Sequence, residues 1–142
     1  MNVVKLVEIF QDQEKYYIVQ ELMLGSSLLK YIDQTPALFT PPVVAKIVIQ
    51  LLEGLVFLHR MNIVHRDIKS DNILLSKKMT EDDTDPVVKI ADFGLSAYLD
   101  PTTKGLNNFC GTDLYMAPEI LKSNSNCSTL PQVYKTPLAR YG

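Results

Sequence analysis

Val3, Val4, Leu6, Val7, Ile9 and Phe10 form a β-branched and apolar run that ends at Gln11-Asp12-Gln13-Glu14, and Tyr16-Tyr17-Ile18-Val19 resumes it. Two strands about a polar turn are the natural reading, an antiparallel hairpin. Gly25-Ser26-Ser27 breaks the pattern, and Leu28 to Ile32 predicts a short helix. Pro41 and Pro42 suit a helix start, where a missing N–H costs little. From there Val44, Ile47, Val48, Leu51, Leu52, Leu55 and Leu58 recur at spacings of three and four, which predicts a helix from Pro42 to Arg60. Val43, Ile49 and Val56 widen the stripe until little polar face remains. A helix this apolar expects cover from several directions.

Short apolar pieces follow: Ile63-Val64, Ile73-Leu74-Leu75 and Val87-Val88-Lys89-Ile90. The first two flank a polar loop. Between the last two, Ser76 to Pro86 carries Lys77, Lys78, Glu81, Asp82, Asp83 and Asp85. Mixed charge without an apolar anchor reads as a solvated hairpin connection. From Ser123 the composition turns to Ser, Asn, Thr and Pro without periodicity, so residues 123–142 are expected to form a loosely ordered, divergent tail. No internal repeat is visible.

Composition narrows the classes. The 142 residues suit one domain, and 46% hydrophobic content is enough for a core. A net charge of -2 gives no basic footprint, so neither nucleic acid nor a membrane is expected as a partner. Cys110 and Cys127 form no CxxC pair, and two free thiols are the expected reading. No apolar run is expected to approach the roughly 20 residues that span a bilayer. Met1 to Phe10 contains Lys5 and Glu8 and lacks a signal-peptide core. The cytoplasm, with the nucleus as second choice, is the expected compartment.

The chemistry concentrates in His65-Arg66-Asp67-Ile68-Lys69-Ser70-Asp71-Asn72, a polar loop held between two short strands. Asp92-Phe93-Gly94 follows the strand that ends at Ile90 and Ala91, and Gly111-Thr112 precedes Tyr115-Met116-Ala117-Pro118-Glu119. Asp92 comes 25 positions after Asp67, and Glu119 comes 27 after Asp92. In that order and spacing, the H-R-D-x-K-x-x-N, D-F-G and A-P-E motifs resemble the eukaryotic-type serine/threonine protein kinases. Any one triplet is weak; three in order, each in its expected context, are specific. Lys69 and Gly111-Thr112 resemble serine/threonine rather than tyrosine kinases. The spelling from His65 to Leu75 is similar to the p21-activated and calmodulin-dependent groups.

The resemblance implies an α+β, protein-kinase-like fold in truncated form: the end of the N-lobe sheet and the hinge, then the first half of the mainly helical C-lobe. It places a partial kinase domain over 1–122, from the fourth strand through A-P-E. It implies ATP and Mg2+ as cofactors and protein serine or threonine hydroxyls as substrates. Phosphoryl transfer needs alignment and charge neutralisation more than covalent help. Asp67 is then the group that orients the hydroxyl and takes its proton, and Lys69 neutralises the transferring phosphate. Thr112 bonds both, while Asn72 and Asp92 are hard oxygen ligands for magnesium. Gly94 is expected to let the backbone turn at Asp92. His65 is expected to pack near Phe93 and Leu6.

For the nucleotide, Gln20 aligns with the gatekeeper position. The Glu21 carbonyl and the Met23 carbonyl and N–H align with the adenine edge, and Leu74 with the floor beneath the ring. Ser27 stands where many relatives place an acidic ribose contact. Arg66 usually meets a phosphorylated residue before Gly111-Thr112; Asn108 occupies the aligned position, and Thr102 and Thr103 are the nearest hydroxyls. The sequence holds no glycine-rich loop, third-strand lysine or helix-C glutamate of the family pattern, and Glu119 lacks its usual distant arginine. The isolated chain is therefore expected to be inactive. A non-catalytic, dominant-negative or partner-binding product is the alternative.

Overall fold

The computed structural model describes residues 2–81, 84–100, 102, 106 and 109–123. Thr103, Asn108 and the tail beyond Ser123 lie outside them. The elements run β1 Leu6–Gln11, β2 Tyr16–Gln20, α1 Leu28–Gln34, α2 Pro41–Arg60, β3 Ile63–Val64, β4 Ile73–Leu75, β5 Val88–Ile90, β6 Ala97–Tyr98 and α3 Pro118–Ser123. The strands pair as three antiparallel ribbons, β1 with β2, β3 with β6 and β4 with β5. The fold class is α+β. The chain divides into two compact units, Met1–Gly54 with Ser70–Ala91, and Leu55–Lys69 with Asp92–Gly142; α2 runs from one into the other.

In the first unit the expected hairpin forms, but its apolar run is two pieces. Asp12 builds the turn: Oδ1 accepts the N–H groups of Glu14 and Lys15, and Oδ2 accepts the Tyr17 hydroxyl. These donors hold its carboxyl below the ordinary carboxylate range, the Glu14 N–H most of all. Val3 and Val4 do not extend β1. They are buried beside β5, where Val4 N–H donates to the Ile90 carbonyl at 2.9 Å and Ile90 N–H to the Asn2 carbonyl at 2.9 Å. With Val43, Ile47, Ile73, Leu75, Val88 and Ile90 they make this unit's core.

Ser27 caps α1, its hydroxyl accepting the Lys30 N–H. On α2 the buried positions are Val43, Ile47, Gly54 and Leu58, one stripe at helical spacing. Val48, Ile49, Leu52 and Val56 are about half exposed, so among the described residues the helix is covered from one side only. At 20 residues and a best-window mean hydropathy of 1.7, α2 is long and apolar enough by length and composition to cross a bilayer. That corrects the expectation that no such run exists. Core helices meet the same two criteria, and Lys46 and Glu53 lie within this one.

The connection between β4 and β5 is also better anchored than its composition suggests. Met79 is buried, and its N–H donates to the Tyr31 hydroxyl of α1. One methionine among charges gives no periodic signal, yet it pins the loop. Gln50 holds the other side: its Oε1 accepts the Val88 N–H and its Nε2 donates to the Pro86 carbonyl at 2.7 Å.

In the second unit α2 ends where Asn62 takes φ 56°, a left-handed conformation that asparagine tolerates. The Asn62 carbonyl then accepts the Leu99 N–H at 2.7 Å. The β3–β6 ribbon pairs Ile63 with Tyr98 and Val64 with Ala97. This ribbon launches the polar loop that begins at His65.

Candidate active site

Three side chains meet in the second unit. Lys69 Nζ lies 2.9 Å from Asp67 Oδ2 and donates to Thr112 Oγ1 at 2.8 Å. The Thr112 hydroxyl donates in turn to Asp67 Oδ1 at 2.7 Å. Every edge of the triangle is a charge-assisted bond. Asp67 is buried, 8% exposed, so its charge is tolerable only because an ammonium and a hydroxyl compensate it. The Asp67 N–H donates to His65 Nδ1, and the His65 ring meets Phe93 edge-on with centroids 5.0 Å apart. His65 is buried against Phe93, as expected. Leu6, expected beside it, belongs to the other unit.

Backbone conformation places these groups. Arg66 sits at φ 68°, which costs a non-glycine residue of order 1–3 kcal/mol. Its Nε donates to the Leu95 carbonyl at 2.6 Å. Gly111, at φ 125°, turns directly before Thr112, and a Cβ there would stand 2.9 Å from the Arg66 carbonyl oxygen. Only glycine fits both demands. Arg66, Asp67, Thr112, Tyr115, Met116 and Ile120 line an open pocket of about 230 Å³ beside the triangle. Cys110, a free thiol, lines it too. Glu119 is exposed.

Asp92 belongs to the same unit and is exposed. The expectation for Gly94 is corrected here: the left-handed residue is Asp92 itself, at φ 61°. Its Oδ1 accepts the Gly94 N–H at 3.1 Å, closing a short side-chain turn. A Cβ on Gly94 would approach that same oxygen to 3.1 Å, so the glycine gives room rather than a positive φ. Thr102 is bound to Asp100, which accepts both its N–H and its hydroxyl. Those two bonds hold the Asp100 carboxyl below its ordinary range.

The remaining candidates lie in the first unit. Asn72 is buried, and its carbonyl accepts the Ala91 N–H at 2.8 Å. Leu74, on β4, is half-buried and bridges to Ser27. Gln20 ends β2 opposite Leu6 and is exposed. Glu21 follows it; its carboxylate holds Lys89 Nζ at 2.6 and 2.7 Å and accepts the Lys5 N–H at 2.7 Å. Met23 is half-buried between Leu22 and Leu24, which are 81% and 66% exposed. Lys89 was missed by the sequence reading, although a lone charge in an apolar strand is a signal that a partner waits nearby. As donors, Asn72 and Asp92 offer an amide and a carboxylate oxygen. That chemistry suits magnesium, which takes few protein ligands and completes its octahedron with water and phosphate oxygens.

Residues 1–134 match the family model described as the protein kinase domain. The chain belongs to the protein kinase family. Calcium-dependent protein kinase 4 of Plasmodium falciparum is 37% identical over 121 residues, which is 85% of this chain and 22% of that protein. Serine/threonine-protein kinase PLK4 of Drosophila yakuba is 38% identical over 125 residues, 88% of this chain and 15% of that protein. A probable myosin light chain kinase of Dictyostelium discoideum is 40% identical over 128 residues, 90% and 39% of the two chains. This kinase chain therefore spans well under half the length of these relatives. Protein kinases as a family use ATP and a divalent metal, which agrees with the hard oxygen donors present here.

Proposed function

We propose that these residues supply the catalytic loop and activation segment of a serine/threonine protein kinase that moves the terminal phosphoryl group of ATP to protein hydroxyls. The observation that carries the reading is the closed triangle of Asp67, Lys69 and Thr112. Asp67 is the base: Oδ1 and Oδ2 are held by Thr112 and Lys69, so the carboxylate is aimed before substrate arrives. It orients the substrate hydroxyl and accepts its proton. Lys69 sits one bond away, an ammonium that offsets negative charge as it shifts between oxygens. Thr112 fixes the spacing between them. Asn72 and Asp92 each carry a hard oxygen of the kind magnesium takes, and magnesium would neutralise phosphate charge when bound. Glu21 and Met23 supply the adenine edge and Leu74 the surface beneath the ring. In support, the Met23 N–H makes no hydrogen bond among the described residues.

The test is a chimera in which residues 2–122 replace the matching segment of a calcium-dependent protein kinase. Phosphate transfer from ATP to a peptide serine is expected, with loss of at least about a hundredfold on Asp67→Asn. A chimera that folds and binds ADP yet transfers no phosphate would refute the reading.

A further inference from the structure

Lys89 is the one charged residue in the apolar stretch Val87-Val88-Lys89-Ile90. On β5 it alternates with Val88 and Ile90, both fully buried, so it stands on the opposite face of the ribbon. Its cross-strand partner there is Leu74 of β4, and directly opposed residues share a face about 5 Å apart. The ammonium does not run out to solvent. It grips both oxygens of Glu21, and its side chain is 19% exposed. Glu21 is held twice more by Lys5, its N–H donating to the Lys5 carbonyl at 3.0 Å and its Oε1 accepting the Lys5 N–H. Further along, Gly25 N–H donates to the Leu75 carbonyl and Leu75 N–H to the Ser26 carbonyl, both at 2.9 Å. Residues 22–24 thus form a short strap pinned at both ends to elements of the same unit.

We infer that Lys89 is the positioning residue of the adenine edge: by holding Glu21 while paired with Leu74 across β4 and β5, it sets the distance from the strap to the surface beneath the ring. The inference rests on the adenine-edge reading of Glu21, Met23 and Leu74. Lys89 itself touches no nucleotide and acts through the Glu21 carboxylate. The sequence separation of 68 positions between the two explains why no local motif announces the pair.

The test uses the 142-residue chain with Lys89→Met and Lys89→Arg, read in two ways. Amide hydrogen exchange at Lys5 and Glu21 reports the clamp, and affinity for a fluorescent ADP analogue with magnesium reports its consequence. Lys89→Met is expected to speed exchange at Glu21 and to weaken ADP about fivefold, the upper range for a partly exposed ion pair. Lys89→Arg, which keeps the charge, is expected to restore both. Unchanged exchange at Glu21 in Lys89→Met overturns the inference whatever the nucleotide does. Faster exchange with unchanged ADP affinity overturns it too, leaving a pair that only stabilises the fold. Absence of ADP binding by both this chain and the chimera overturns the adenine-edge reading instead, and exchange alone then decides whether Lys89 positions Glu21.

Discussion

Thr112 carries one hydroxyl with two partners, accepting from Lys69 and donating to Asp67. Removing it leaves a buried carboxylate and an ammonium to rearrange against each other. Thr112→Val keeps the shape and deletes only the hydroxyl, so it isolates the bonds. A bond to a charged group is worth about 1.5–3 kcal/mol; with Asp67 and Lys69 closing on each other to recover the other bond, the chimera's kcat/KM for peptide is expected to fall about 10- to 100-fold. Thr112→Ser should recover most of it, and steady-state kinetics of the three proteins checks the series. A second residue-scale prediction concerns pH. Glu21 has its carboxyl held below the ordinary value of 4.5, first by the Lys89 ammonium and then by the Lys5 N–H. A depressed carboxylate contributes stability that is complete above its unfolded pKa and disappears as pH falls through the folded value. The gap in melting temperature between wild type and Glu21→Gln should therefore stay constant from neutral pH to about 5 and close below 4.5. A gap that persisted unchanged at pH 3 would remove Glu21 from the linkage.

Periodicity made some elements legible and left others dark. The β1–β2 hairpin and α2 were readable because each repeats one signal over many residues: strand-like runs about a polar turn, and apolar spacings of three and four. α2 begins at Pro41, one residue before the expected start, since either proline can open a helix. Short pieces were harder. Val3 and Val4 read as part of β1 because composition cannot tell one strand from two when the break is a change of partner. Met79 was invisible because a single buried side chain has no period. The triangle at Asp67 was legible only through a motif: no pattern brings positions 45 apart into contact. Close approach of backbones was likewise unreadable, and Gly25 shows it. A Cβ at Gly25 would overlap the Lys77 carbonyl oxygen and reach 2.5 Å from the Leu75 Cβ. Leu75 cannot yield, because Gly25 and Leu75 are bonded backbone to backbone, and the Lys77 atom is itself backbone. Gly25→Ala is expected to cost about 2–3 kcal/mol, the upper range for overpacking, measurable in the chimera as a lower urea midpoint with an unchanged slope.

On the scale of the 142 residues, Asp67, Lys69 and Thr112 meet in one unit, and what these residues do alone is set by what else phosphoryl transfer requires. A kinase covers the ATP phosphates with a glycine-rich loop and grips them with a strand lysine paired to a helix glutamate. The six glycines stand at 25, 54, 94, 105, 111 and 142, so no two have the G-x-G spacing that such a loop needs. Positioning and charge neutralisation are nearly the entire catalysis in this chemistry. A catalytic loop tested without such a cover is therefore expected to give very little rate, because the phosphate must be aligned from both sides at once. The 142 residues alone are expected to transfer no phosphate from magnesium ATP to a basic protein beyond the level of Asp67→Asn and Asp92→Ala. The chimera of residues 2–122 is expected to do so, and the contrast assigns the deficit to missing partners rather than to damaged catalytic groups. Activity in the isolated wild type that both substitutions abolish would mean that Asp67, Lys69 and Thr112 suffice without any cover over the phosphates. The same exposed surfaces, β1, β2 and the outer face of α2, should make the isolated chain bind a hydrophobic dye and unfold over a broad temperature range. A sharp transition without dye binding would show instead that these apolar faces find one another.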